Sequence, residues 1–368
     1  MIEVRPERLA GDRVVLRELR ESDADDVRAA CDDPLTARFL DMLPSPYTLS
    51  DALDFIRTRE PNTWAVGGSN FAIADPATDR LLGSIGSHEP KLRGTATSIG
   101  YWVAPWGRGR GVATAATRTL ATWLLGHGFG RLELITDVAN TASQRVAVAS
   151  GFRHEGVRRS GVTRRGGGRF DAVVWSRLAD DAVPTPRSLP DLPGGALTDG
   201  VVTLRPTGPN DAADLLALRQ LPDIAVRSAH GRIPTPESMA DYCERAGYHW
   251  LIGQRASLTL RDARTGAFAG DFGIFAADAT GQAMISYDVH PDRRGHGLAT
   301  RAVRLIASWA FEQAGWHRLI AGTEPDNLAS QRVLTKAGFV REGYEWGRRP
   351  ALDDGPRRDN IAFALIRD

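Results

Sequence analysis

Two six-residue runs have the composition of an anion-binding turn: Arg108-Gly109-Arg110-Gly111-Val112-Ala113 and Arg294-Gly295-His296-Gly297-Leu298-Ala299. Each follows a strand-like apolar stretch, 99–103 in one case and 285–289 in the other. Each precedes apolar residues at helical spacing, Val112, Ala116, Leu120, Trp123 and Leu124 in the first and Val303, Ile306, Trp309 and Ala310 in the second. Glycines let a backbone approach a ligand closely, and the free N–H groups of a first helical turn point at whatever sits there. A pyrophosphate is the natural guest. No Gly-Lys-Ser/Thr ends either run, which excludes a P-loop, and Thr114 stands where a dinucleotide fingerprint needs its third glycine. What remains is Arg-x-x-Gly-x-Ala, twice.

More of the chain repeats with it. Asn140 and Ser143 lead to Gly151-Phe152 and Glu155-Gly156, as Asn327 and Ser330 lead to Gly338-Phe339 and Glu342-Gly343. Leu16-Arg17 is echoed by Leu204-Arg205. The offset stays between 186 and 188 residues throughout, the signature of a tandem duplication. The expected units are 1–180 and 197–368, joined by a proline- and glycine-rich linker over 181–196.

The order of these features resembles the GNAT N-acetyltransferase superfamily, and in particular the branch containing the ribosomal-protein N-terminal acetyltransferases. The resemblance covers nearly the whole chain, twice. It implies an α/β fold, a mixed sheet flanked by helices, in which the strand before the glycine-rich loop parts from the next one. It implies acetyl-coenzyme A as cosubstrate, with no metal. Pantetheine would lie in the gap, and the pyrophosphate on Arg108, Gly109, Arg110, Gly111, Val112 and Ala113, or on Arg294, Gly295, His296, Gly297, Leu298 and Ala299. Backbone N–H near Val103 or Val289 would polarise the thioester carbonyl. Asn140 and Asn327 match the asparagine that holds the pantetheine arm, and each also suits a helix N-cap. Ser143 and Ser330 match the serine that serves the departing thiolate, the catalytic role here.

The implied reaction is direct attack of a primary amine on the thioester, which calls for a proton acceptor. By alternation Thr97, Ile99 and Tyr101 share a face in the first copy, and Ala283, Ile285 and Tyr287 in the second. None is a carboxylate or histidine. Asp288 should face the other way. His88, Glu89 and Asp271 are the fallback candidates, beside a water relay. The alternative to two working halves is one that is structural or senses coenzyme A.

The elements that must position these residues read β-α-α-β-β-β-α-β-α-β-β in each copy. Strands are expected at 14–19, 71–75, 81–87 and 132–138, and helices at 22–31, 49–59 and 141–150, with a hairpin over 157–178. The hairpin tip, Arg164-Arg165-Gly-Gly-Gly-Arg169, reads as a solvated turn. In the second copy, helices are expected at 211–220 and 236–245, and strands at 250–261 and 268–275.

The chain of 368 residues is 42% hydrophobic and 25% charged, with a net charge of +1. That is ample for two cored domains and gives no general field for nucleic acid or acidic membranes. Cys31 and Cys243 occupy non-equivalent positions and make no disulfide or metal-ligand pattern. No long apolar run or signal core is present, so a cytoplasmic protein is expected. The expected partner is a small-molecule or peptide amine, with no nucleic acid and no membrane. The expected state is a monomer, its halves packed as an internal pseudo-dimer, or a homodimer.

Overall fold

A computed structural model describes all residues except 1, 3, 89, 92–94, 228–232, 278–280, 352–354 and 368. Two compact units divide the chain, Met1–Pro186 and Arg187–Asp368. The division falls inside the expected linker. Leu189 and Leu192 are buried in the core of the second unit, so that stretch is packed structure from Arg187 onward.

The first unit runs β1 (Leu9–Ala10), β2 (Val15–Arg17), α1 (Ala24–Cys31), α2 (Pro34–Phe39) and α3 (Leu49–Asp54). One π-helical turn, Phe55–Arg59, carries α3 into α4 (Glu60–Ala65). Then come β3 (Ser69–Ala74), β4 (Leu81–Ser87), β5 (Ala96–Val103), α5 (Val112–Gly126), β6 (Arg131–Asp137), α6 (Thr141–Ala149), β7 (Arg153–Thr163) and β8 (Arg169–Arg177). The second unit repeats the plan. Its front half is β9 (Leu197–Thr198), β10 (Val202–Pro206), α7 (Ala212–Arg219), α8 (Pro222–Ala225), α9 (Pro236–Leu251), β11 (Arg255–Asp262), β12 (Phe268–Ala276) and β13 (Gln282–Val289). Its rear half is α10 (Leu298–Glu312), β14 (Arg318–Thr323), α11 (Leu328–Lys336), β15 (Val340–Arg349) and β16 (Arg358–Ile366).

Each unit is one eight-stranded mixed sheet, ordered β1-β2-β3-β4-β5-β6-β8-β7 in the first and β9-β10-β11-β12-β13-β14-β16-β15 in the second. One neighbouring pair in each is parallel, β5 with β6 and β13 with β14. Helices cover both faces, and the burial pattern shows why. In α5, Ala116, Leu120, Ala121 and Leu124 are fully buried, as are Ala302, Val303, Ile306 and Ala310 in α10. These apolar stripes recur at helical period and lie on the buried strands.

Three expectations change. Each sheet gains a two-residue strand at its start, β1 or β9, too short to show an alternating pattern. The helix expected over 49–59 continues to Ala65, its π turn taking up the register change just before Pro61, which has no N–H to give. The helix expected over 236–245 continues to Leu251. Trp250 therefore stands on a helix rather than a strand, edge-on to Trp309, and its indole donates to the Pro190 carbonyl at 3.0 Å.

Candidate functional site

The parallel pairs hold only briefly. β5 is registered with β6 from Ala96 to Ile99, and β13 with β14 from Gln282 to Met284. Beyond those points the strands part. On its other side each strand stays paired with its antiparallel neighbour to the end, Gly83 opposite Val103 and Gly270 opposite Val289. Ala104 N donates to Leu82 O, and His290 N to Ala269 O. In an antiparallel ladder, alternate residues exchange bonds with the neighbour and the others point away. The N–H and C=O of Tyr101 and Val103, and of Tyr287 and Val289, therefore face the split. No strand takes these groups, although loop arginines meet the Val103 and Val289 carbonyls; such a split is a place for an extended, amide-bearing ligand.

The loop beyond the split opens the long helix through a left-handed glycine. Gly111 has φ 76° and Gly297 φ 75°, preceded by Gly109 at 71° and Gly295 at 81°. A Cβ built on any of the four would meet no atom within 4 Å, so the space before the helix is open and only glycine adopts this backbone without strain. The first helical bond runs from Ala115 N to Gly111 O, and its counterpart from Arg301 N to Gly297 O. No cap side chain takes the N–H groups before them, those of Val112 and Ala113 or of Leu298 and Ala299. Free donors at the positive end of a fifteen-residue helix suit an anion.

The loop arginines divide their work. Arg108 turns back to the strand end, its Nε donating to Val103 O at 3.2 Å and its Nη2 reaching Asp33 Oδ2 at 2.5 Å and Thr36 Oγ1 at 2.8 Å. Asp33 is the N-cap of α2, accepting from Thr36 N. Arg294 repeats this, on Val289 O at 3.0 Å and Asp223 Oδ2 at 2.5 Å. Both arginines thus brace the strand end against an earlier short helix, α2 in the first half and α8 in the second. Arg110 and His296 are exposed at the open side.

Behind the split, Tyr101 Oη and Ser143 Oγ stand 2.8 Å apart, and Tyr287 Oη and Ser330 Oγ 2.9 Å. Burial pushes the Tyr101 phenol well above its ordinary range and the Tyr287 phenol to about 12, so both stay protonated donors at neutral pH. Asn140 Oδ1 accepts from Ser143 N at 3.1 Å, and Asn327 Oδ1 from Ser330 N at 3.1 Å. Each asparagine is an N-cap whose amide nitrogen is left to donate elsewhere. The sequence brought serine and asparagine together; Tyr101 and Tyr287 were legible as strand aromatics open to a catalytic or a packing role, but not as partners of those serines.

The opposite face differs between the halves. In the second, Asp288 on β13 lies directly across from Asp271 on β12. Arg219, the last residue of α7, donates to Asp271 Oδ2, and its Nε lies 4.0 Å from Asp288 Oδ2. In the first half the same register pairs Trp102 with Ser84, whose hydroxyl donates to Asn70 Oδ1 at 2.9 Å. Asp288 faces away from Tyr287, as alternation requires. Of the fallback residues, His88 is exposed at the rim beside Gly100, its imidazole held below the usual range by desolvation and by Lys91. Glu89 lies outside the described residues.

The arginine-rich hairpin tip is not simply solvated. Arg164 grips Asp137 with two bonds, at 2.6 and 2.8 Å, and lies 3.7 Å over the Phe170 ring. Arg165 Nη2 donates to Leu43 O at 2.6 Å. Arg164 thus partners the buried carboxylate at the end of β6, and Arg165 ties the tip to the segment after α2. The glycines of the tip and Arg169 are open to solvent.

Both halves of the chain are similar in sequence to known proteins. A family model described as an acetyltransferase (GNAT) domain matches residues 13–153 and again 202–340. Among curated relatives, the chain is 36% identical over 136 residues to the probable N-acetyltransferase YjcK of Bacillus subtilis, covering 32% of this chain and 74% of that one. It is 28% identical over 127 residues to the uncharacterized N-acetyltransferase YoaA of the same bacterium, covering 34% and 66%. Among solved structures, RimJ of Mycobacterium smegmatis in complex with CoA-disulfide is 26% identical, covers 47% of this chain and 86% of its own, and has a TM-score of 0.42. Among the described residues no helix is long and apolar enough to cross a membrane.

Proposed function

This chain belongs to the acetyltransferase (GNAT) family along both of its halves, and from that premise we propose that each half transfers an acetyl group from acetyl-coenzyme A to a primary amine. The observation that carries the reading is a feature built twice: a strand with unpaired backbone groups running into an uncapped, glycine-opened helix. Such a site accepts a pantetheine arm and a pyrophosphate in one continuous track. The open cradle at Gly109 and Gly111, or Gly295 and Gly297, fits the pyrophosphate, and a side chain there would fill the space. Val112 and Ala113, or Leu298 and Ala299, offer backbone N–H, with Arg110 and His296 at the rim. The amide nitrogens of Asn140 and Asn327 reach toward the arm.

The chemistry is direct. The amine lone pair attacks the thioester carbonyl, and the N–H of Val103 or Val289 takes the growing charge on its oxygen. As the C–S bond breaks, Ser143 or Ser330, held by its tyrosine, gives the thiolate a proton. Arg108 and Arg294 act by position, fixing the strand end on which that N–H sits.

Coenzyme A titrations by calorimetry on wild type, Gly111→Glu and Gly297→Glu test this. A carboxylate on either glycine strains a left-handed backbone and repels the pyrophosphate. Two sites in wild type, one lost in each variant, are expected. One site lost in a single variant would leave the other half structural, and no binding in wild type sinks the reading.

A further inference from the structure

Two aspartates directly opposite on neighbouring strands repel one another, and a fold without use for them replaces one. The first half does so with Ser84 and Trp102. The second keeps Asp271 and Asp288, and Arg219 beside them is bonded to Asp271. Asp271 is 2% exposed, and its Oδ1 has no hydrogen-bond partner. Thr259, paired with Asp271 from β11 and fully buried, also presents an Oγ1 with no partner on this face. Asp288 differs in being open: a third of its side chain is reached by solvent although protein surrounds it. It sits on the unpaired end of β13, one residue before Val289, and faces away from Tyr287 and Ser330.

That placement has a stereochemical meaning. The proton donors for the leaving thiolate stand on one face of the strand, so the attacking amine arrives over the other. We propose that in the second half Asp288 receives a cationic aliphatic amine and takes its proton, with Asp271 and Arg219 as positioning residues, while the first half has no such group. The proposal rests on the acetyl-transfer reading and names the class of acceptor for one of its two sites. An aliphatic ammonium ion, with a pKa of about 10.4, must lose a proton before it can attack. One proton passes to Asp288 and on to solvent, and the freed lone pair forms the C–N bond. The C–S bond breaks as Ser330 gives the thiolate its proton, the second N–H proton passes to Asp288, already emptied to solvent, as the amide forms, and Ser330 takes a proton back from solvent, so the protons balance.

The surroundings of Asp288 are mixed in sign: Arg219 from α7, Asp223 from α8, Asp271 from β12, Arg294 from the loop, Arg349 from β15, and the Tyr287 phenol. Desolvation outweighs the cations and holds its carboxyl above the usual range, which suits a proton acceptor near neutral pH.

The test follows acetyl-coenzyme A thiol release by the full chain with n-butylamine, protonated at neutral pH, and with 4-methoxyaniline, which is not. Turnover of n-butylamine is expected to survive Gly111→Glu and vanish in Gly297→Glu. Asp288→Asn should lower it by about 10²-fold or more at pH 7. Its rate should then climb about tenfold per pH unit as the free amine appears, where wild type levels off. The effect on 4-methoxyaniline should be under tenfold, and coenzyme A binding by calorimetry should be unchanged. Asp271→Asn should raise KM for n-butylamine more than it lowers kcat. Wild-type rates and pH profile in Asp288→Asn overturn the proposal, as does n-butylamine turnover that follows Gly111 instead. Wild type that binds two equivalents of coenzyme A yet acetylates no cationic amine overturns it too, leaving the acetyl-transfer reading standing. Failure of coenzyme A to bind at all overturns both.

Discussion

The two halves agree on one face of the sheet and disagree on the other. Toward α6 and α11 the arrangements superpose residue for residue: Tyr101, Ser143 and Asn140 in one half, Tyr287, Ser330 and Asn327 in the other, with hydroxyl distances of 2.8 and 2.9 Å. Toward α1 and α7 they diverge. Cys31, Ser84 and Trp102 occupy the positions of Arg219, Asp271 and Asp288. The floor of the first cleft is apolar, with Trp102 packed near Leu43, Leu53 and Phe55 against a core that includes Tyr47. On the proposed function, duplication kept the face that would handle the shared cosubstrate and released the one that would meet the acceptor. The end of the split shows the same divergence. Asp137 is matched by one arginine, Arg164, whereas its counterpart Glu324 is held by Arg227 and Arg358, with Arg349 3.8 Å away.

The sharpest way to break this comparison is at those two carboxylates. Asp137→Asn takes from Arg164, 10% exposed, its twofold bond to a carboxylate, and Glu324→Gln leaves three guanidiniums around a neutral amide, with Asp326 still bonded to Arg227. Removing one partner of a buried pair costs about 3–5 kcal/mol. Urea unfolding followed by hydrogen exchange, which reads each half separately, should show that loss confined to the mutated half. Replacing Asp137 and Arg164 together by apolar residues should restore most of the stability of the first half. No single second change can do so for Glu324. Equal rescue in both halves would show that the three-arginine cluster is no more than one pair with bystanders.

The shared face gives the next effect. Ser143→Ala, measured with the second half silenced by Gly297→Glu, should slow thiol release by about 10²-fold. Ser330→Ala, with Gly111→Glu, should do the same within a factor of a few. Tyr101→Phe and Tyr287→Phe should cost less, because the serine hydroxyl remains. A large inequality between the serines would mean that only one half turns over.

Much of this was legible in the sequence, for a physical reason. Glycines with positive φ, cap residues and the helical period are local demands of the backbone, so Gly111, Gly297, Asn140 and Asn327 announce themselves, and a second copy at constant offset repeats them. Arg219 is different. It meets Asp271 across 52 residues, and nothing near it in the chain hints at the contact. Asp288 was visible, and alternation gave its face correctly. Which face the acceptor would use depends on where Ser330 stands, and that is fixed by the packing of α11. The hairpin arginines misled for the same reason: Arg164 finds Asp137 only when β7 and β8 fold back over β6.

The smallest expected difference concerns acid. Glu155 receives two bonds from Arg131 and one from Ser176, which pull its carboxyl down to about 2. Glu342 receives Arg318, whose Nε is turned to Gln282, and Ala364 replaces the serine. A carboxyl depressed in the folded state adds stability that is complete above its unfolded value of about 4.3 and disappears as pH falls toward 2. Glu155 is 38% exposed, so solvent screening keeps the gain small. Glu155→Gln should raise the acid midpoint of the first half by a few tenths of a pH unit, and Ser176→Ala by less. Hydrogen exchange between pH 4.5 and about 2.5 reads both, because the expected window lies between the unfolded and folded values of Glu155. If Ser176→Ala gave the larger shift, the serine hydroxyl rather than the two arginine bonds would be the stronger clamp on Glu155.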